Sequence, residues 1–174
     1  MSEYSNKEIE LIPGVLRGYR SWFLRDNKLM SIGGYPINIW SIGENLAHCH
    51  SRYYRSTSNF YERCLYHDTL APELACKCGL YGLYMPPIIP TTRIPVFGVI
   101  EAYGRIILGT SGFRAEKARV VALAPNFTWI RDGTKLVSEC FNVPFYESLD
   151  ELTEDFPTDL EQINNLISNE FSVS

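Results

Sequence analysis

The sequence feature that most constrains the fold is a short stretch that is dense in cysteine. It places Cys64, His67, Cys76 and Cys78 within fifteen residues, although the whole chain has only five cysteines and three histidines. Tetrahedral zinc takes four thiolate or imidazole ligands, and structural zinc sites draw them from closely spaced pairs. The spacing Cys-x2-His and then Cys-x-Cys, with eight residues between the pairs, therefore predicts a zinc knuckle over residues 64–78.

More than one combination of residues near the knuckle could bind the zinc ion. Cys49 stands between two histidines and is an alternative ligand that could replace Cys64 or His67. Gly79, the next residue after the knuckle, permits the positive φ that turns backbone amides toward thiolate sulfur. Because four protein donors leave no open position for water, we expect a zinc ion here to be structural. The alternatives are buried thiols or a redox pair, and we expect Cys140 to be a buried core thiol.

The rest of the sequence places this knuckle in an ordinary globular domain. Apolar residues make up 45% and charged residues 21% of the 174 residues, which suits one domain with a core. No window approaches the ~18 apolar residues of a membrane-spanning helix, and the polar start does not resemble a secretory signal. We therefore expect a cytoplasmic protein with reduced cysteines and no membrane partner.

Charge is distributed unevenly along the chain. Residues 1–135 hold all 16 Lys and Arg against 11 Asp and Glu, whereas residues 136–174 hold nine acidic residues and no basic one. Ser148 and Thr158 are each followed three residues later by Glu, the capping-box pattern that starts helices. We predict a mildly basic, β-rich body over residues 1–135 and an acidic helical tail over residues 136–174 that packs on it.

The body is rich in β-branched and aromatic residues that are interrupted by Gly and Pro, a pattern typical of strands and turns. It predicts a strand over residues 15–24 with a turn at 26–28, a strand over 79–84, and a β-hairpin over 96–123. The alternative for the second half of the hairpin is a helix, because the residues from Ala115 to Ala118 are helix formers. The predicted fold class is α+β and β-rich. We expect a small twisted sheet or partly open barrel, with the zinc knuckle at its edge and a C-terminal helical appendage.

Two groups of side chains are candidate binding sites. The first mixes aromatic and basic residues that could stack bases and bind phosphates, and it comprises Arg17, Tyr19, Arg20, Trp22, Arg52, Tyr53, Tyr54 and Arg55. The alternative for this group is aromatic core residues beside solvated arginines. The second group lies on the hairpin and comprises Glu101, Arg105, Arg114, Glu116 and Arg119. It could hold an anion with Glu101 as an acid or base, or form an ordinary ladder of cross-strand ion pairs.

Three motifs follow one another along the body. Cys-Lys-Cys-Gly-Leu-Tyr at 76–81 precedes a strand that reaches Tyr-Gly-Arg at 103–105, and Gly-Phe-Arg-Ala-Glu follows at 112–116. This order resembles that of a group of uncharacterised small bacterial and phage proteins, and the likeness covers residues 11–123. The resemblance implies one domain organised by the knuckle and the hairpin, and an origin in a mobile element. It implies no activity.

Together these features favour a non-catalytic, zinc-stabilised binding module that contacts nucleic acid or a protein partner, as an accessory factor of a phage or mobile element. The alternative is a small enzyme that acts on a nucleotide or nucleic acid through Glu101, Arg114 and Glu116. The sequence has no phosphate-binding loop, nucleophile elbow or metalloprotease helix, so it favours the first hypothesis and assigns no catalytic residue. It does not indicate the oligomeric state.

Overall fold

The described residues form a curled antiparallel sheet with short helices packed on it. The computed structural model describes residues 15–32, 39–49, 71–74, 76–87, 96–159, 161 and 164–165. The strands in these residues are β1 (Leu16–Arg25), β2 (Lys28–Ser31), β3 (Asn45–Leu46), β4 (Leu80–Leu83), β5 (Val96–Leu108) and β6 (Gly112–Pro125). The helices are a short 3-10 helix (Thr128–Ile130), α1 (Arg131–Phe141) and α2 (Leu149–Asp155). The predicted β-rich α+β class is confirmed.

Local sequence signals account for the two hairpins. Asp26 and Asn27 take positive φ values of 49° and 55°, the backbone of the two-residue turns that suit the twist of antiparallel strands. The turn therefore joins β1 to β2 with Arg25 opposite Lys28. The long hairpin of β5 and β6 is also formed as predicted, with pairing that extends from Val96 to Leu108.

The strand pairing almost closes on itself. β1 pairs with β5, β5 with β6, and β6 with β4, while β2 and β3 extend the sheet from β1 and β6. β4 returns to β1 through a single residue pair, Tyr19 and Leu83. The sheet is therefore strongly curled, but it is not a regular barrel.

Two glycines allow the strands to close over one aromatic ring. An ideal Cβ at Gly82 would lie 2.4 Å from Cζ of Phe113, and one at Gly18 would lie 2.5 Å from Cε1 of the same ring. Real Cβ atoms do not approach other atoms so closely. Any larger residue at these positions would push β1 or β4 away from Phe113, so the curl of the sheet depends on both glycines.

The sheet carries apolar residues on both faces. On one face the main core includes Trp22, which packs edge-on against Trp40 with ring centroids 5.3 Å apart. On the opposite face Tyr19 and Val99 cluster with Leu152 of α2. Because successive strand residues point to opposite faces, the helix covers the side that does not face the main core.

The start of the tail follows its predicted signals in part. The Ser148 side chain accepts a hydrogen bond from the Glu151 amide at 3.2 Å and caps α2, as the first capping-box pattern predicts. At the second pattern the Thr158 hydroxyl donates to the Tyr84 carbonyl at 2.8 Å, and the described residues that follow, 161 and 164–165, are helical. α1 begins at Arg131, so this helix crosses the predicted boundary between residues 135 and 136. In the described segments no helix is both long enough and apolar enough to cross a bilayer.

Candidate functional site

Three cysteines converge beside the start of β4. The Sγ atoms of Cys49, Cys76 and Cys78 all lie within 4.8 Å of one another, and those of Cys49 and Cys76 are 3.5 Å apart. In a tetrahedral zinc site with Zn–S distances of about 2.3 Å, the sulfur atoms are about 3.8 Å apart. The cluster can therefore hold a metal ion without a large rearrangement of its side chains.

The cluster differs from the ligand set that the sequence favoured. Cys76 and Cys78 come together, and Cys49, the sequence alternative, joins them. Cys64 and His67 lie outside the described residues. Cys140 is exposed on α1, so the expectation of a buried core thiol is wrong for this residue.

Gly79 lets the loop that carries Cys76 and Cys78, called here the cysteine loop, pack against β6. Gly79 has φ +128°, a backbone conformation that side-chain-bearing residues rarely adopt, and this agrees with the sequence prediction. A Cβ at Gly79 would lie 2.9 Å from Cβ of Arg114. The loop backbone therefore runs directly over Arg114.

Arg114 fastens the cysteine loop to the hairpin. Its Nη1 donates hydrogen bonds to the carbonyls of Glu73 at 3.3 Å, Cys76, and Cys78 at 3.1 Å. Arg105, on the paired strand, forms an ion pair of 3.6 Å with the Glu73 carboxylate. Two arginines of the hairpin thus bind the loop that carries two of the three cysteines. Arg114 is a structural donor here rather than an anion-binding residue.

Burial affects the charge state of the cluster. It raises the pKa of the Cys78 thiol above its ordinary value. The protonated thiol is therefore favoured when no cation is present. A divalent cation would offset this cost by stabilising thiolates, so metal binding would release protons.

A second charged cluster lies further along the hairpin. Glu101 on β5 is buried and accepts hydrogen bonds from Nη2 of Arg17 at 3.0 Å and from Nη2 of Arg119 at 2.6 Å. Burial alone would raise the pKa of Glu101, but the hydrogen bonds and charges of Arg119 and Arg17 outweigh it and lower that pKa. Glu101 is thus a fully paired carboxylate, which does not suit the predicted role of acid or base.

The remaining hairpin residues make separate contacts. The Glu116 carboxylate accepts a hydrogen bond of 3.0 Å from the Arg105 backbone amide. Glu101 pairs with Arg119 across the sheet, whereas Arg114 lies five residues away from Arg119 along β6. The structure therefore does not assemble Glu101, Arg114 and Glu116 into one site. Glu101 and Arg119 form a cross-strand ion pair, which is the alternative that the sequence analysis gave for this group.

Two aromatic residues of the first predicted group are buried. Trp22 is 0% exposed in the main core. Tyr19 is 4% exposed on the opposite face, where its hydroxyl donates to the Phe156 carbonyl. Neither ring is available to stack on a base, so for these residues the core alternative holds. The members of the group that lie outside the described residues are Arg52, Tyr53, Tyr54 and Arg55.

Arg20 is also part of the packing. Its guanidinium lies 4.7 Å from the ring centroid of Trp40, and it donates to Oγ of Ser31 at 3.0 Å and to the Tyr81 carbonyl. Burial lowers the pKa of Arg20 to about 10. Because both of its Nη groups donate within the fold, Arg20 is not a free phosphate ligand as the sequence suggested.

The sequence-based prediction missed an apolar stripe on β4. Tyr81 and Leu83 of β4, and Met85 just after it, are exposed, while Leu80, Gly82 and Tyr84, which alternate with them, are buried. The signal was present in the alternation of residues 79–84, which predicted the strand but not which side faces solvent. The stripe begins three residues after Cys78.

The chain matched no protein-family model, no curated protein and no solved structure. Its function is therefore inferred from geometry and sequence alone.

Replacing Arg114 by Met should destabilise the protein, because it removes the donor to three loop carbonyls. We expect the free energy of unfolding in urea to fall by about 1–3 kcal/mol. Arg25→Met is the matched control, since Arg25 is exposed on β1 and pairs only loosely with Asp26 at 3.8 Å. The control should change stability by no more than about 0.5 kcal/mol. Equal effects of the two substitutions would contradict the role assigned to Arg114.

The stability contributed by Glu101 should disappear in acid. Its folded-state pKa is lowered, so its contribution is complete above the unfolded pKa of about 4.3 and is lost as the pH falls through the folded pKa. We therefore expect wild type to be more stable than Glu101→Gln at neutral pH, with a difference that shrinks as the pH falls below about 4. Urea unfolding of both proteins across this range measures it. A difference that does not change with pH would count against the ionised pair.

Proposed function

We propose that this protein is a non-catalytic binding module in which a structural zinc ion completes the fold beside β4. The observation that carries the proposal is the convergence of three cysteine sulfur atoms within 4.8 Å. Thiolates suit zinc and other soft metal ions, and the reducing environment expected from the sequence keeps thiols available as ligands. The ion would join the segment after β3 to the loop before β4.

The fourth ligand is assigned to one of the two remaining sequence candidates. With Cys49 in the set, either Cys64 or His67 completes a tetrahedral site. Four cysteines and three cysteines with one histidine are both ordinary structural zinc sets. A complete set of protein donors leaves no position for a reacting water, which supports a structural role rather than a catalytic one.

The described charges support a protein partner over nucleic acid. Binding to nucleic acid depends on many Lys and Arg that are free to neutralise phosphates. Most of the basic residues in the described sheet and helices instead form ion pairs. These pairs are Arg17 and Arg119 with Glu101, Arg25 with Asp26, Arg105 with Glu73, Lys117 with Glu44, and Arg131 with Glu147.

The apolar stripe on β4 is the proposed contact surface for that partner. Tyr81 and Leu83 of β4, and Met85 just after the strand, expose apolar surface, and exposed apolar patches mark protein-interaction sites. The strand follows the cysteine loop directly, so a bound zinc ion would hold the stripe in place. The setting as an accessory factor of a phage or mobile element rests on the sequence resemblance alone.

The enzyme alternative has less support. It requires Glu101, Arg114 and Glu116 to act together, but each is engaged in a different contact. Glu101 is paired with two arginines, Arg114 holds loop carbonyls, and Glu116 accepts from a backbone amide.

Metal analysis tests the zinc centre. Full-length protein produced with zinc supplied should contain about one equivalent, and a chelator should lower its unfolding temperature. Cys49→Ser, Cys76→Ser and Cys78→Ser should each reduce the zinc content, whereas Cys140→Ser, at an exposed position, should not. Less than about half an equivalent in wild type would overturn the proposal.

The same assay identifies the fourth ligand. If only one of Cys64→Ser and His67→Ala loses zinc, the residue replaced in that variant is the fourth ligand. Full zinc content in both variants would show that neither residue is a ligand.

A pull-down with matched variants tests the stripe. A partner retained by wild type should be reduced at least about fivefold by Met85→Ser, because serine removes the apolar contact. Ile42→Ser is the control, since Ile42 is also highly exposed but lies near β3. Binding of DNA and RNA oligonucleotides should be no tighter than the non-specific range of about 10⁻⁶ M at physiological salt. A nanomolar, salt-dependent nucleic-acid complex would overturn the choice of a protein partner.

A further inference from the structure

Two of the three clustered cysteines lie almost within bonding distance of each other. The Sγ atoms of Cys49 and Cys76 are 3.5 Å apart, whereas the sulfur atoms of a disulfide bond are about 2.05 Å apart. The gap of about 1.5 Å is within the reach of side-chain rotation. The pair therefore has the contact that oxidation of two thiols to a disulfide requires.

The backbone on both sides of this contact is anchored to the same strand. Before Cys49, the Ala47 amide donates to the Glu116 carbonyl at 2.7 Å. The Cys76 carbonyl accepts a hydrogen bond from the side chain of Arg114. Arg114 and Glu116 are two positions apart on β6. Because these anchors belong to the sheet, we expect the two sulfur atoms to stay close together after a metal ion leaves.

Cys49 and Cys76 are also the outer pair of the cluster. Both residues are half-buried, whereas Cys78 packs against the main core. The susceptibility of cysteine to a small oxidant follows the exposure of its sulfur. Cys49 and Cys76 are thus the members of the cluster that an oxidant reaches first.

Zinc binding and disulfide formation require the same sulfur atoms. Zinc is bound by thiolates, and the sulfur atoms of a disulfide are no longer thiolates. Oxidation of Cys49 and Cys76 would remove two of the four proposed ligands in one reaction. The oxidised state and the zinc-bound state therefore exclude each other.

The disulfide would take over the structural connection that zinc provides. Cys49 and Cys76 are 27 positions apart, and both candidates for the fourth ligand, Cys64 and His67, lie between them in the sequence. A disulfide that closes such a loop stabilises a fold mainly by restricting the unfolded chain. Oxidation should therefore change the metal content without unfolding the sheet.

We propose that Cys49 and Cys76 form a reversible disulfide bond when a peroxide reaches the cluster, and that this reaction releases the zinc ion. The inference rests on the proposed zinc centre and adds a means of regulating it. Disulfides in a reducing compartment are typically transient and redox-sensing, which agrees with a reversible bond.

The reaction is a balanced two-electron oxidation. One thiolate of the pair attacks an oxygen of hydrogen peroxide, the O–O bond breaks, and a sulfenic acid and hydroxide form. The second thiolate attacks the sulfenic sulfur, the S–S bond forms, the S–O bond breaks, and a second hydroxide leaves. The two hydroxides take up two protons and become water. A dithiol reductant reverses the reaction by thiol–disulfide exchange.

Titration of the zinc-loaded, full-length protein with hydrogen peroxide tests the proposal. Two thiols should be lost for each zinc ion that a chromogenic chelator captures, and the protein mass should fall by about 2 Da. The oxidised protein should bind zinc at least about a hundredfold more weakly than the reduced protein, and a dithiol reductant should restore the affinity. Formation of sulfinic acids in place of the disulfide, or zinc release without a disulfide, would overturn the proposal.

A zinc-free sample separates this inference from the zinc centre. Protein treated with a chelator should form the same disulfide, because the anchors on β6 remain. If purified wild type contains no zinc but forms the disulfide, the metal centre is refuted and the cysteine pair is supported. If zinc is present but the pair does not oxidise, the metal centre is supported and the inference is refuted.

Peptide mapping of the zinc-free protein identifies the linked residues. Trypsin cleaves after Arg63 and Lys77, so Cys64 and Cys76 share one fragment. Cys64→Ser should still form the disulfide, as should Cys140→Ser, whereas Cys76→Ser should not. Sequencing of this fragment by tandem mass spectrometry in wild type covers the case in which Cys76→Ser does not fold. A link from Cys64 or Cys140 in place of Cys76 would contradict the assigned pair.

Discussion

The hydrogen bonds from Arg114 to the loop carbonyls are the contacts on which the proposed metal centre depends. An irregular segment cannot satisfy its backbone groups through a strand ladder, so partly buried carbonyls in it need another donor. Arg114 supplies that donor for Glu73, Cys76 and Cys78 from a position within β6. The β5–β6 hairpin thereby fixes the shape of the cysteine loop. This brings Cys76 and Cys78 close to Cys49.

On the other face of the sheet, a buried carboxylate is stabilised by ion pairs with two arginines. A buried carboxylate is costly unless it is paired and hydrogen-bonded, and Glu101 has an arginine on each oxygen. Both arginines keep more than half of their side chains exposed, so the charges that neutralise Glu101 remain solvated. This arrangement lets α2 and the segment after it pack beside a charged group.

Local sequence patterns predicted the local structure well and the long-range contacts poorly. The β5–β6 hairpin, the turn at Asp26 and the positive φ of Gly79 follow from residue types that act over a few positions. The approach of Cys49 to Cys76 depends on how the sheet curls, which short-range spacing does not encode. The sequence also could not show the role of Arg114, because its acceptors are backbone carbonyls, which every residue type has. Arg20 and Trp22 lie in the predicted strand over residues 15–24, but both faces of this sheet are covered, so alternation alone could not assign burial.

The hydrogen bond between Thr158 and Tyr84 gives β4 a second connection. At its start this strand continues from the cysteine loop, and at its end it meets the chain after α2. One short strand therefore links the cysteine loop to the segment after α2. Ordering the cysteine loop at one end of this strand would also restrict the segment after α2 at the other end.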